Sequence, residues 1–219
     1  MKRIILLSIT LSAFVFSSCS KVRLKGEGSI LSETRQLENF TTIEANGSTE
    51  IEVIASNSNS VIVTGYQNLV PAYDTKVKGD RLVLEYKREY INVRNNNIKV
   101  TVYTTNADAV RLNGSGDVRI GSNLKASSMD IDLNGSGKVY FGNNDFETAY
   151  YSISGSGEIN ARGASAKNVT AKISGSGDMD VTATNSLTAK ISGSGTIDYW
   201  GNPAVVETEI SGSGKVRKN

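Results

Sequence analysis

Leu133-Asn134-Gly135-Ser136-Gly137-Lys138-Val139 is the stretch on which the fold turns, because the chain keeps returning to it. Gly-Ser-Gly begins at Gly114, Gly135, Gly155, Gly175, Gly193 and Gly212, at intervals of 21, 20, 20, 18 and 19 residues. The closing glycines are Gly116, Gly137, Gly157, Gly177, Gly195 and Gly214. Each copy reads Leu or Ile, then Asn or Ser, Gly-Ser-Gly, any residue, and Val, Ile or Met. A fixed period of this length marks a stacked architecture, in which no single unit can bury its own apolar face.

Outward from each motif, apolar residues fall at every second position. Leu112, Leu133, Ile153, Ile173, Ile191 and Ile210 stand two before the first glycine, and Val118, Val139, Ile159, Met179, Ile197 and Val216 stand two after the second. The column four before holds Val110, Ile131, Tyr151, Ala171, Ala189 and Thr208. A spacing of two is strand periodicity, with one face apolar and the other polar. The links between copies, such as Gly142-Asn143-Asn144-Asp145, are turn residues and too short for crossover helices. The expectation is all-β: a single-stranded β-solenoid whose coils of about 20 residues stack like positions ~4.8 Å apart. A sandwich or barrel of short antiparallel strands is the alternative, and it accounts less well for identical columns at one period. The glycines are expected at a bend or narrow edge, where positive φ or close backbone approach excludes a Cβ.

Residues 41–45, 50–54, 61–65, 81–86 and 98–103 alternate too, without the period. Asn46-Gly47-Ser48-Thr49-Glu50-Ile51 reads as a worn copy that has lost its second glycine. Residues 27–106 are therefore expected to be irregular coils and a cap, residues 107–219 the repeat solenoid; a separate small β-domain at 27–106 is the other reading.

The N-terminus reads as an export signal. Lys2 and Arg3 precede an apolar run over residues 4–16, too short for a ~30 Å hydrocarbon core and suited to a signal-peptide h-region. Cys19, the one cysteine, follows small residues and resembles a lipobox, with Phe16 where Leu is commoner. The expected organisation is a lipoprotein signal peptide at 1–18 and a lipidated Cys with tether at 19–26. Lipid on Cys19 would then hold the chain to a membrane. Lys21, Arg23 and Lys25 follow with no acidic run, which favours the periplasmic leaflet of an outer membrane over the cell surface. Without Lys2 and Arg3, the 24 basic residues fall to 22, matching 22 acidic ones. A neutral mature chain excludes nucleic acid as an expected partner.

Together the lipobox at Cys19, Phe40-Thr41-Thr42-Ile43, Asn68-Leu69 before Pro71, Gly79 ahead of Leu82-Val83-Leu84 and the six Gly-Ser-Gly copies resemble the head GIN domain family, known as "putative auto-transporter adhesin". The resemblance implies a right-handed parallel β-helix and brings no catalytic residues with it.

No chemistry emerges from the remaining motifs. The chain has no His, which excludes Ser-His-Asp and Cys-His nucleophiles and His-ligated zinc. A phosphate loop needs a helix after its glycines, and here a strand follows. Calcium-binding nonapeptide coils need a nine-residue period. Asp178, Asp180 and Asp198 could gather on neighbouring coils, where solvated carboxylates are the simpler reading. Lys87-Arg88 and Arg94, beside Tyr86 and Tyr90, could line a sugar- or peptide-binding edge, but read first as an exposed loop. The expectations are no catalytic residue, no metal, no cofactor and no enzymatic turnover. Flat faces would meet a glycan or protein ligand in an adhesive or structural role, the alternative being a carbohydrate-binding or polysaccharide-degrading β-helix.

Overall fold

The structure, a computed structural model, describes residues 22–219. Cys19 and residues 1–18, read as a signal peptide, lie outside the described residues. In chain order the strands are β1 (Val22–Lys25), β2 (Ile30–Gln36), β3 (Thr42–Gly47), β4 (Glu50–Ala55), β5 (Ser60–Tyr66), β6 (Tyr73–Lys78), β7 (Arg81–Tyr86), β8 (Tyr90–Arg94), β9 (Lys99–Thr104), β10 (Ala109–Gly114), β11 (Asp117–Ile120), β12 (Ser128–Gly135), β13 (Lys138–Phe141), β14 (Asn144–Gly155), β15 (Glu158–Gly175), β16 (Asp178–Gly193), β17 (Thr196–Trp200), β18 (Val205–Gly212) and β19 (Lys215–Lys218). The only helical turn among the described residues is a 3-10 turn at Val70–Ala72.

Each Gly-Ser-Gly is a corner between two sides of a β-solenoid. On the first side β3, β10, β12, β14, β15, β16 and β18 stack in parallel, with Gly47, Gly114, Gly135, Gly155, Gly175, Gly193 and Gly212 in one column. On the second side β4, β11, β13, β15, β16, β17 and β19 stack likewise. The apolar columns read from the sequence face inward: Leu112, Leu133, Ile153, Ile173 and Ile191 are buried, as are Val118, Val139, Ile159, Met179 and Ile197. Alternation drives this, since every second side chain of a strand points to the same face and only the apolar set gains by leaving water.

Both glycines of the motif answer to the corner beneath. The carbonyl of Gly114 accepts hydrogen bonds from the N–H groups of Ser136 and Gly137, both at 3.1 Å. Gly135 has φ +134°, and a Cβ there would run into the Gly114 carbonyl oxygen. The second glycine of the next coil, Gly157, would put a Cβ 2.6 Å from both the Gly137 oxygen and Leu133 Cδ2. Positive φ thus calls for the first glycine, and backbone-to-backbone stacking for both.

The worn copy is in register, with Asn46 beside Asn113, Gly47 beside Gly114 and Ile51 beside Val118. Its second glycine is Thr49 because no corner lies under it. Below β3 the pairing with β7 ends at Ala45–Leu84, and below β4 the pairing with β9 begins at Glu50–Lys99. Between them the chain leaves on an excursion that includes β8. Spatial order thus departs from chain order: β7 and β9 lie beneath β3 and β4, while β10 and β11 continue above them.

Antiparallel strands finish this end. β6 pairs antiparallel with β7, β5 with β9, and β2 with β5. Arg35, on the inward side of β2, donates to the carbonyls of Tyr73 at 2.6 Å and Val70 at 2.9 Å, to Thr75 Oγ1 at 3.2 Å and to Glu33 at 2.9 Å. One guanidinium closes the apolar column with a polar lid. Of the segment read as a tether, residues 22–25 form β1, parallel to β8. Asn68 and Asn95 donate to the Lys25 and Gly26 carbonyls at 2.7 and 2.8 Å, fixing that segment to the body.

Candidate interaction surface

The outer positions of the first side form two columns. One runs Thr42, Ala109, Asp130, Tyr150, Thr170, Thr188, Glu207, and the other Glu44, Arg111, Asp132, Ser152, Lys172, Lys190, Glu209. Beside the corner runs a polar ladder. Asn134 donates to Asn113 at 3.1 Å, Asn113 to Asn46 at 2.9 Å, and Asn46 to Glu85 at 3.0 Å. Ser154, Ser174, Ser192 and Ser211 continue it.

Between the Ser ladder and the Lys column lies an open groove of about 420 Å³, lined by Ser152, Ser154, Lys172, Ser174, Lys190, Ser192, Glu209 and Ser211. Lys190 pairs with Glu209 at 2.7 Å. Lys172 makes no ion pair among the described residues. Tyr150, 53% exposed, stands on the same outer face two residues before Ser152. One coil from Tyr150 in the same column, burial pushes the Asp130 carboxyl above its ordinary value, Asp132 adding to this and Arg111 opposing it.

Ion pairs mark the second side. Glu50 takes Lys99 at 3.0 Å and Arg119 at 2.7 Å. Asp117, Lys138 and Glu158 stack in one column of alternating sign, and among them only Lys138–Glu158 forms a pair, at 2.9 Å. Asp178, Asp180 and Asp198 do fall on neighbouring coils, but Arg217 engages Asp198 through two contacts of 2.6 and 2.7 Å and holds its carboxyl below the usual range. Asp180 moves the other way, raised by burial and by Asp198 and Glu158. No cluster suited to a metal ion occurs among the described residues.

The aromatic and basic candidates do not converge. Tyr86 donates to Asn96 Oδ1 at 2.7 Å and meets Tyr73 edge-on at 5.1 Å, so it is part of the packing beside β8. Arg119 sits 5.7 Å from the Tyr140 ring and Arg162 4.6 Å from the Trp200 ring, on different coils of the second side. Sequence reasoning missed Arg35, whose inward position needs the antiparallel register of β2. It also missed the Lys172–Lys190 column, although Lys stands before the Ile of two successive copies and could have been read there. Among the described residues no helix is long and apolar enough to cross a membrane.

Residues 39–203 match the family described as "Putative auto-transporter adhesin, head GIN domain". A "putative adhesin" from Bacteroides fragilis NCTC 9343 shares the fold with a TM-score of 0.75 at 24% identity, over 90% of this chain and 100% of that one. A "putative lipid binding protein" from Parabacteroides distasonis ATCC 8503 aligns with a TM-score of 0.57 at 25% identity, over 90% and 100%. A "putative adhesin" from Parabacteroides merdae ATCC 43184 gives 0.58 at 22%, over 90% and 99%. No curated protein matches the chain significantly.

Proposed function

Because this chain belongs to the head GIN domain family, we propose that it is a non-enzymatic cell-envelope lipoprotein that binds an extended ligand along the first side of its solenoid. The observation that carries this reading is the groove, where Ser154, Ser174, Ser192 and Ser211 present the same hydroxyl once per coil beside Lys172 and Lys190. Repeated donors at one-coil spacing suit a ligand with repeating acceptors. An open face recognises such a ligand better than it encloses a reaction. The groove serines have no imidazole or thiol beside them to act as base, and none of the residues lining it is an unpaired carboxylate. Tyr150 favours a glycan over a peptide, since an exposed ring at the groove's edge offers a stacking face to a sugar.

A glycan-array screen with residues 20–219 tests this. The expected result is retention of an extended, acidic glycan, lost on Lys172→Ser and weakened on Tyr150→Ala. Binding unaffected by both changes would place the ligand elsewhere. Shortening of the bound polysaccharide by the unaltered protein would make it an enzyme. The lipid anchor on Cys19 has its own test. Cys19→Ser should leave a precursor neither acylated nor cleaved before residue 19, and mass spectrometry of the unaltered protein finding an unmodified residue beyond 19 at its N-terminus would contradict it.

A further inference from the structure

The two ends of the stack are finished differently. At the far end β18 pairs with β16 and β19 with β17, and neither has a second neighbour among the described residues. Val206 and Ile210 hold the core-facing positions of β18 but are 41% and 45% exposed, whereas Leu187 and Ile191, one coil below them, are 0% and 2% exposed. Among the described residues nothing like the Arg35 lid covers them. Two unpaired edges beside an uncovered apolar column are a template for another strand.

The charges say what kind of strand. The outward residues of β18 include Glu207 and Glu209; those of β19 are Lys215 and Arg217. One side of the last coil is acidic and the other basic. β18 runs into the Gly212 corner and β19 runs away from the Gly214 corner. A two-fold axis through that corner, perpendicular to the stack, therefore lays β18 of one copy antiparallel on β19 of the other, twice. Counted from the corner, Ile210 then stands over Val216 of the partner subunit and Glu209 over Arg217 of the partner subunit. On the inner face Ile210 meets an apolar residue and Thr208 meets Lys218 of the partner subunit; on the outer face Glu209 meets a guanidinium, where within each chain Glu209 already holds Lys190 and Arg217 holds Asp198. An isologous contact of this kind closes on itself instead of propagating into a fibre.

We propose that a second copy of this chain docks on the last coil, joining the two solenoids end to end through β18 and β19. The end-to-end contact itself does not depend on the groove or the anchor.

Sedimentation equilibrium of residues 20–219, which contain every core residue described here, tests the contact. The mass should be that of a dimer. Glu209→Arg sets like charges face to face at two symmetry-related places and should weaken dimerisation about a hundredfold, roughly tenfold for each. Adding Arg217→Glu to that variant should restore the dimer, which a merely misfolded chain would not do. Ile210→Asp, at a position 45% exposed and set over Val216 of the partner subunit, should yield a folded monomer by circular dichroism. A monomeric unaltered chain at the highest concentration reached would overturn the proposal. So would a dimer indifferent to Glu209→Arg, or a Glu209→Arg monomer that Arg217→Glu does not rescue.

Discussion

The corner at Gly47 and the corner at Gly135 make the same turn over different floors. Gly47 has φ +115° and Gly135 φ +134°, so both hold a backbone shape that favours glycine. Beneath Gly135 lies the Gly114 carbonyl, which a Cβ would strike; around Gly47 nothing lies within 4 Å of where a Cβ would go. Two residues on, the upper corner keeps Gly137 while the lower one carries Thr49. The first glycine therefore serves the turn everywhere, and the second is needed only where another corner sits directly below. The spelling of each copy reports its neighbour as well as itself.

The ends of the stack extend the contrast. One end spends antiparallel strands and the Arg35 hydrogen bonds on closing the apolar column, and the other leaves Val206 and Ile210 half open. The largest expected effect separates these environments. Ile173→Asp puts an unpaired charge into the middle of the core and should cost at least ~4 kcal/mol in urea unfolding, enough to prevent folding. Ile210→Asp, in the same column at the open end, should cost less than half of that in the monomer. Equal losses would mean that the last coil is as covered as the middle one.

Next in size is the lid. Arg35→Met keeps much of the bulk but leaves the Val70 and Tyr73 carbonyls without their donor, and should cost ~2–3 kcal/mol. The loss should appear as faster hydrogen exchange in β2 and β6 before β12 to β16 respond, because local openings start where the stack is least regular. Simultaneous exchange of all strands would show that the lid and body unfold as one unit.

Much of this was legible in the sequence. Six copies with matched flanks give the coils, their inward columns and the corner, and Asn46-Gly47-Ser48 gives one coil more. Stack order was not legible. Residues 81–104 lie beneath residues 42–55 although they come later, and the alternation of β5, β6 and β9 looks the same whether a strand pairs parallel or antiparallel. Arg35 was hidden for that reason: residues 30–36 carry no apolar alternation, and an inward Arg among them has no signature. The interaction surface was half visible, as the Asn or Ser that precedes each Gly-Ser-Gly, without its flanking Lys column. The Asp178, Asp180, Asp198 juxtaposition was visible, but Arg217, arriving from the last coil, was not foreseen as its partner.

That partner gives the smallest expected effect. Arg217 lowers the Asp198 pKa, so the folded chain holds that proton less tightly than the unfolded one; the stability this brings is present above the ordinary Asp value and is lost as pH falls through the lowered one. Asp180 is raised, so its ionisation opposes folding at neutral pH and the penalty eases as pH falls. Carboxyl-detected NMR should find Asp198 titrating below Asp180, and Arg217→Ala should bring Asp198 back up. Identical titrations would remove the ion pair.

The claim that stacking, and not the turn alone, dictates the glycines rests on one paired measurement: the unfolding free energies of Gly135→Ala and Gly47→Ala. Both changes pay for positive φ, ~1–2 kcal/mol. Only Gly135→Ala also drives a methyl into the oxygen of the coil beneath, so it should cost ~2 kcal/mol more. Equal costs at Gly47 and Gly135 would mean that the repeat is written by the turn, and that the account of the corner is wrong.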